Sequence, residues 1–154
     1  MPTRHEGPAD ERLALDLFIK LSRANHSIQR RVHSSLHEFG LTPTQFGVLD
    51  ALHFGGPMPI SDIAEKNLSS QNSMCSVIDT MERKHLVERK RDPQDRRVVW
   101  VHLSESGEAL HASVWPGHIE RIVRVVSNLT PHEIGTLCDL LRKLGKSLPD
   151  NESP

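Results

Sequence analysis

Between residues 42 and 103 the spacing of apolar side chains changes once, from the three-to-four step of helices to the alternation of strands. That single change limits the folds open to the chain. Thr42-Pro43-Thr44-Gln45 opens a short helix, with Thr42 as N-cap, Pro43 in the first helical position and Gln45 closing a capping box. Phe46, Val48, Leu49 and Leu52 follow, and Gly55-Gly56-Pro57 stops it. Met58-Pro59-Ile60 reads as a brief extended segment. Ser61 is predicted to cap a second short helix, from Asp62 to about Asn67, with Ile63 and Ala64 inward. A break at Asn67-Leu68-Ser69-Ser70 leads to a third helix, apolar at Met74, Val77, Ile78 and Met81 and ending near His85. Residues 86–91 and 98–103 then read as two strands around a polar turn. Three short helices followed by a hairpin form a helix-turn-helix with a wing.

Long helices flank this unit. Leu17, Leu21, Ala24, Ile28, Val32, Leu36 and Phe39 recur at steps of three or four, widened by Leu13 and Phe18 and stopped by Gly40. The pattern predicts about 30 helical residues, roughly 45 Å. A further helix is expected from Ser104 to about Ser127, bent or broken at Pro116-Gly117. The last opens with the box Thr130-Pro131-His132-Glu133 and carries Ile134, Leu137, Leu140, Leu141, Leu144 and Leu148. So much apolar helical surface exceeds what one small chain covers, which points to packing on a second subunit. The expected architecture is mainly α. A winged helix-turn-helix lobe (42–103) joins N- and C-terminal helices (10–39 and 104–147) that form a dimerisation bundle. All belong to one unit, 1–154, with loose ends at 1–9 and 149–154.

Composition narrows the function. Apolar residues make up 36% of the chain and net charge is only −1, which excludes a disordered polyelectrolyte. Two cysteines cannot build a disulfide framework, and no apolar leader or 18-residue apolar window occurs. Reduced thiols in a cytoplasmic protein are expected. Aromatic residues are 4% of the chain, too few for a base-stacking single-strand binder. Charge is polarised: residues 83–97 hold seven basic and three acidic side chains, +4, so the remainder carries −5.

The basic run ends in a wing carrying Arg91, Asp95, Arg96 and Arg97, and adjacent arginines suit the negative potential of a narrow minor groove. The third helix opens Ser69, Ser70, Gln71, Asn72, Ser73. Gln and Asn can pair with adenine through two hydrogen bonds, and serines suit bases or phosphates. Capping explains one of these five, not the whole run. Ser61, at the start of the preceding helix, joins this set of candidate DNA contacts.

The segments Leu86-Val87-Glu88-Arg89, Asp92-Pro93-Gln94-Asp95-Arg96-Arg97 and Val101-His102-Leu103-Ser104-Glu105-Ser106-Gly107 resemble the wing and following helix start of the MarR family. Gly40-Leu41-Thr42-Pro43-Thr44-Gln45-Phe46-Gly47-Val48-Leu49 resembles that family's second helix. Ile60-Ser61-Asp62-Ile63-Ala64-Glu65 resembles the helix before recognition. The likeness spans residues 12–147. Leu21-Ser22-Arg23-Ala24, the run from Gly40 to Phe46 and Val77-Ile78-Asp79 are similar to its quinone- and catechol-responsive repressors. The resemblance implies a homodimeric transcription regulator, a ligand-responsive repressor of a near-palindromic DNA operator, with a small phenolic or quinone effector. By position it places 69–73 and Ser76 in the major groove, has Asp95 orient an arginine, and sends Arg96 or Arg97 to the minor groove. Effectors in the family bind between the dimer helices and the DNA-binding lobe, where Arg23, Asn25 and His26 are candidates. His85 stands where many members have a helix-ending glycine, so a different turn is expected there. Ser76 and Thr80 are shorter than the basic side chains many members carry.

Other residues admit other chemistry. His33 and His37 fall at i, i+4, a spacing that can hold zinc, and His111 and His118 lie two turns apart. Without a Cys-x-x-Cys or HExxH motif, solvated or interface histidines are the expectation, with no metal or cofactor. Cys75, near the start of the third helix, is a candidate redox thiol or a small buried residue beside Met74 and Ile78. Cys138 is expected in the core. No catalytic set or phosphate loop appears, so no enzyme activity is expected. The rival classes are a metal- or redox-responsive regulator using the histidines or Cys75, a metalloenzyme, and a protein-interaction module without DNA binding.

Overall fold

A computed structural model describes residues 5–92 and 98–146. Its elements, in chain order, are α1 (Ala9–Val32), a 3-10 turn (Leu36–Phe39), α2 (Pro43–Gly55), β1 (Met58–Pro59) and α3 (Ile60–Lys66). α4 (Gln71–Arg83), β2 (Val87–Arg91), β3 (Val99–Leu103), α5 (Glu105–Val126) and α6 (Pro131–Lys146) follow. The strands form one antiparallel sheet in the order β1-β3-β2, with Met58 opposite Val101 and Val87 opposite Leu103. The mainly α winged architecture expected from the sequence is present.

Local chemistry sets most boundaries. The Thr42 hydroxyl accepts from the Gln45 amide at 3.2 Å, and the Gln45 side chain accepts from the Thr42 amide at 3.0 Å. This completes the expected capping box, and a Thr130–Glu133 box opens α6 in the same way. Ser104 caps α5 by accepting from the Gly107 amide at 3.0 Å. The core gathers Phe46, Leu49 and Leu52 of α2, Ile63 of α3, Met74, Ile78 and Met81 of α4, Val101 of β3 and Val114 of α5. α4 is thereby held by one apolar face against α2, α3 and the sheet.

Several expectations fail for physical reasons. The first helix does not run to Gly40. α1 stops at Val32, and Leu36–Phe39 winds as a 3-10 turn that brings Leu36 to 1% exposure. Apolar steps of three suit the 3-10 turn as well as the α-helix, so periodicity could not separate them. Gly40, at φ 66, ends the tighter turn. His33 and His37 consequently share no helical face. Ser61 does not cap α3: Pro59 holds that place, and the Ser61 hydroxyl donates to Asp62 at 2.9 Å. Pro116 leaves α5 unbroken. Pro116 and Ala112, whose carbonyl loses its partner, are both exposed, so water can serve that carbonyl. Cys138 is exposed rather than in the core. His111 and His118 are neither solvated nor free; they are buried at 1% and 8% exposure against Phe46.

His85 takes φ 57, so the left-handed turn forms without glycine. Its carbonyl accepts from the Ser104 and Ser106 hydroxyls at 2.5 and 2.6 Å, which ties the end of α4 to the start of α5. Gly107 makes this approach possible: a Cβ there would lie 2.1 Å from the Leu86 carbonyl oxygen. We expect Gly107→Ala to destabilise the chain by about 1–3 kcal/mol through overpacking, read as a lower urea midpoint. Gly135→Ala on α6, where nothing lies within 4 Å, should be neutral or stabilising by up to about 1 kcal/mol.

Candidate nucleic-acid interface

α4 has two faces. Met74, Ile78 and Met81 are fully buried, whereas Gln71, Asn72, Ser73 and Ser76 are exposed. Ser70 is the N-cap: its hydroxyl accepts from the Ser73 amide at 3.3 Å and donates to the Ser73 hydroxyl at 2.8 Å. Ser69 precedes the helix, half-buried. The turn into α4 passes through Leu68, at φ 50 and almost wholly exposed. The candidate contacts from Ser70 to Ser73 therefore converge at one helix tip, with Ser76 one turn further along. Ser61 is exposed in the first turn of α3. Thr80 is short, but Arg83 reaches back to its hydroxyl at 3.2 Å, so a guanidinium still flanks that position.

The wing strand holds this helix by a contact that no sequence pattern singles out. Arg89 of β2 places Nη2 2.6 Å from Asp79 Oδ1 and Nη1 2.7 Å from Glu82 Oε2. Its amide donates to Glu82 at 3.3 Å and Nη2 to the Cys75 carbonyl at 3.4 Å. Burial works against the charge, but hydrogen bonds and attraction from Asp79 and Glu82 more than offset it, so the guanidinium pKa is raised. Positions 75, 79 and 82 recur on one α-helical face, which is how one strand residue meets all three. Asp79 and Glu82, three apart beside a basic strand, are the nearest thing to a sequence signal for it.

This pairing changes the charge arithmetic of the basic run. Arg89 is neutralised by Asp79 and Glu82, acids outside the run; Lys90 pairs at 3.3 Å with Glu88, already counted in the +4, and Lys84 keeps its charge while donating to the Gly40 carbonyl at 3.1 Å. Arg91 is exposed at the end of β2. Trp100 donates its indole N–H to Asp92 at 2.9 Å, fixing the base of the wing. Asp95, Arg96 and Arg97 lie outside the described residues.

The remaining candidates are dispersed. Cys75 is half-buried on α4. Arg23, Asn25 and His26 are exposed on α1. Asn25 borders an apolar groove of about 700 Å³ between α1 and α6, walled by Leu17, Leu21, Leu137 and Leu141. Among the described residues no three metal-ligating side chains converge. No helix among them is long and apolar enough to cross a membrane.

A polar-tipped helix held against a basic two-stranded wing defines a winged helix-turn-helix DNA-binding protein. The MarR family model matches residues 41–99. The HTH-type transcriptional regulator MhqR of Bacillus subtilis is 36% identical over 132 residues, covering 86% of this chain and 91% of that protein. The fold matches AbsC, a MarR family transcriptional regulator from Streptomyces coelicolor, with TM-score 0.82 at 24% identity over 93% of this chain and 97% of that one. It also matches a mutant E. coli MarR complexed with operator DNA, with TM-score 0.77 at 24% identity over 83% of this chain and 92% of that one. The chain belongs to the MarR family of transcriptional regulators.

Arg89→Ala removes the cation that ties Asp79 and Glu82 of α4 to the wing strand. We expect it to lower stability by about 1 kcal/mol or less in thermal unfolding, because water can serve the freed carboxylates, and to weaken duplex binding in fluorescence anisotropy. Lys90→Ala, at an exposed pair, should leave stability within about 0.5 kcal/mol of wild type.

Proposed function

We propose that this regulator is a homodimeric, ligand-responsive cytoplasmic repressor that binds a near-palindromic operator. The observation that carries the reading is α6, which buries none of its residues in its own chain. Leu137, Leu140, Leu141 and Leu144 are 39–59% exposed, and they face Leu17 and Leu21 of α1 across an apolar groove. A leucine gains roughly 1.5–3 kcal/mol on full burial, and a second copy of the same stripe supplies that burial symmetrically.

The dimer makes the two α4 tips useful. They must stand about 34 Å apart to enter successive major grooves on one face of DNA. Ser69, Ser70, Gln71, Asn72, Ser73 and Ser76 then meet bases and phosphates, Ser61 meets the backbone, and Arg91, Arg96 and Arg97 follow the groove edge, with Asp95 orienting an arginine. A small phenolic or quinone effector, entering beside Arg23, Asn25 and His26, shifts the lobes only by its differential affinity for their two arrangements. The likeness of the 21–24 and 77–79 segments to quinone-responsive repressors supports that effector class.

Selection of bound duplexes from random DNA should return an inverted repeat; a single unrepeated half-site would contradict the dimer. The double variant Leu140→Glu, Leu141→Glu should sediment as a folded monomer and lose about 10²-fold or more in operator affinity, because each chain then binds its half-site alone. Arg96→Ala and Arg97→Ala should weaken binding to every sequence and reduce the salt slope by about 0.9 for each phosphate no longer neutralised. Asn72→Ala should cost about 1–3 kcal/mol at particular bases only.

A further inference from the structure

Four histidines and three other aromatic rings meet where the end of α1, α2 and the middle of α5 pack together. His111 lies nearly parallel to His53 at 4.2 Å between ring centroids, to Trp115 at 5.5 Å and to Phe46 at 5.8 Å. Phe46 touches His118 at 4.4 Å, and the His118 ring runs parallel to His33 at 6.1 Å. Phe54 sets its edge against His53, His111 and Trp115.

Few polar groups serve these rings. His111 Nε2 is 3.2 Å from Asp50 Oδ1, and His53 Nδ1 is 2.7 Å from Glu108 Oε2. His118 Nδ1, in a nine-tenths buried ring, has no partner among the described residues. The charged groups around the stack are Asp50 on α2, Glu108 and Arg121 on α5, Arg30 and Arg31 at the end of α1, which line a cavity with Arg121, and Lys66 on α3, which lines another with Asp50 and Phe54. Burial holds both His118 and His33 below the ordinary imidazole pKa. For His118 the charges of His33, Arg121 and His111 push the same way, and Asp50 opposes them. Asp50 and Glu108 serve His111 and His53, whereas no carboxylate among the described residues pairs with His118 or His33, so a proton added to either of those rings gains no such partner.

Neutral core histidines would account for the packing alone. Their position accounts for more. α5 begins at the wing and its second half packs beside the end of α1, so this stack joins the DNA-binding lobe to the helices outside it. We propose that the stack is a proton-operated joint: imidazole protonation on the acid side of neutrality loosens α5 and the end of α1 from α2 and releases operator DNA. The direction follows from linkage. At His118 and His33 the closed stack binds fewer protons than an opened one, so acid favours opening, and DNA held by the closed arrangement is lost as pH falls. Histidines in the DNA interface itself would act oppositely, because their protonation adds phosphate contacts. The inference rests on the operator-binding reading above.

The test uses the full chain and a duplex selected from random DNA at pH 8, with affinity followed by anisotropy from pH 7.5 to 5.5 at fixed ionic strength. Wild type should weaken toward a limit of about tenfold per pH unit for each linked proton. His118→Phe keeps the ring and removes the proton site, and should flatten that profile. Calorimetry of wild type in two buffers of different ionisation enthalpy should show proton release on binding near pH 6, a readout that needs no variant. Affinity that stays level or rises in acid, a His118→Phe profile as steep as wild type, or binding without proton release would each overturn the joint. Those results would leave the regulator reading intact, whereas absence of duplex binding at pH 8 would overturn both.

Discussion

The structure depends on apolar helical surface that one chain cannot bury. α6 presents a leucine stripe that stays about half exposed, and α1 leaves Leu13, Leu17 and Phe18 more than half exposed. The lobe between them is finished: its core from Phe46 to Val114 is closed, with Val48, Leu49, Ile63, Met74, Ile78 and Val101 at 0% exposure. This division assigns roles. The finished lobe fixes a polar helix tip, and the half-exposed helices are the surface that the proposed second copy covers. In the proposed dimer the same burial that stabilises the assembly also sets the distance between the two tips.

Within the lobe, rigidity comes from apolar anchoring and one polar clamp. Met74, Ile78 and Met81 fix the rotation of α4, so Gln71, Asn72 and Ser73 face outward. Arg89 then ties the helix to the wing strand through Asp79 and Glu82. The basic run thus does two jobs: part of it builds the lobe, and the rest is left for a polyanion. Gly107 and the serines at the start of α5 join the turn at His85 to the helix that leaves the lobe.

Features written in adjacent residues were legible in the sequence. The Thr42–Gln45 box, the Thr130–Glu133 box and the apolar face of α4 depend on neighbours within one turn, and each forms as expected. The strands fall within a residue of their predicted starts. Features decided by distant partners were not legible. The end of α1 turns because Leu36 enters the core, which no local rule states. Ser61 reads as a cap because its type favours caps, but the backbone enters the helix two residues earlier, at Ile60 after Pro59. The histidine stack draws on residues 33, 46, 53, 111 and 118, whose meeting appears only once the helices pack. Arg89 reads as one cation among seven until its partners on α4 are placed.

The measurement that tests the central claim most directly is sedimentation equilibrium of the wild-type chain, alone and on its selected duplex. The account requires a particle of about 35 kDa, twice the 17.3 kDa chain, at micromolar concentration, and two chains per duplex in the complex. A stable particle of one chain, or a tight complex of one chain per duplex, would contradict it.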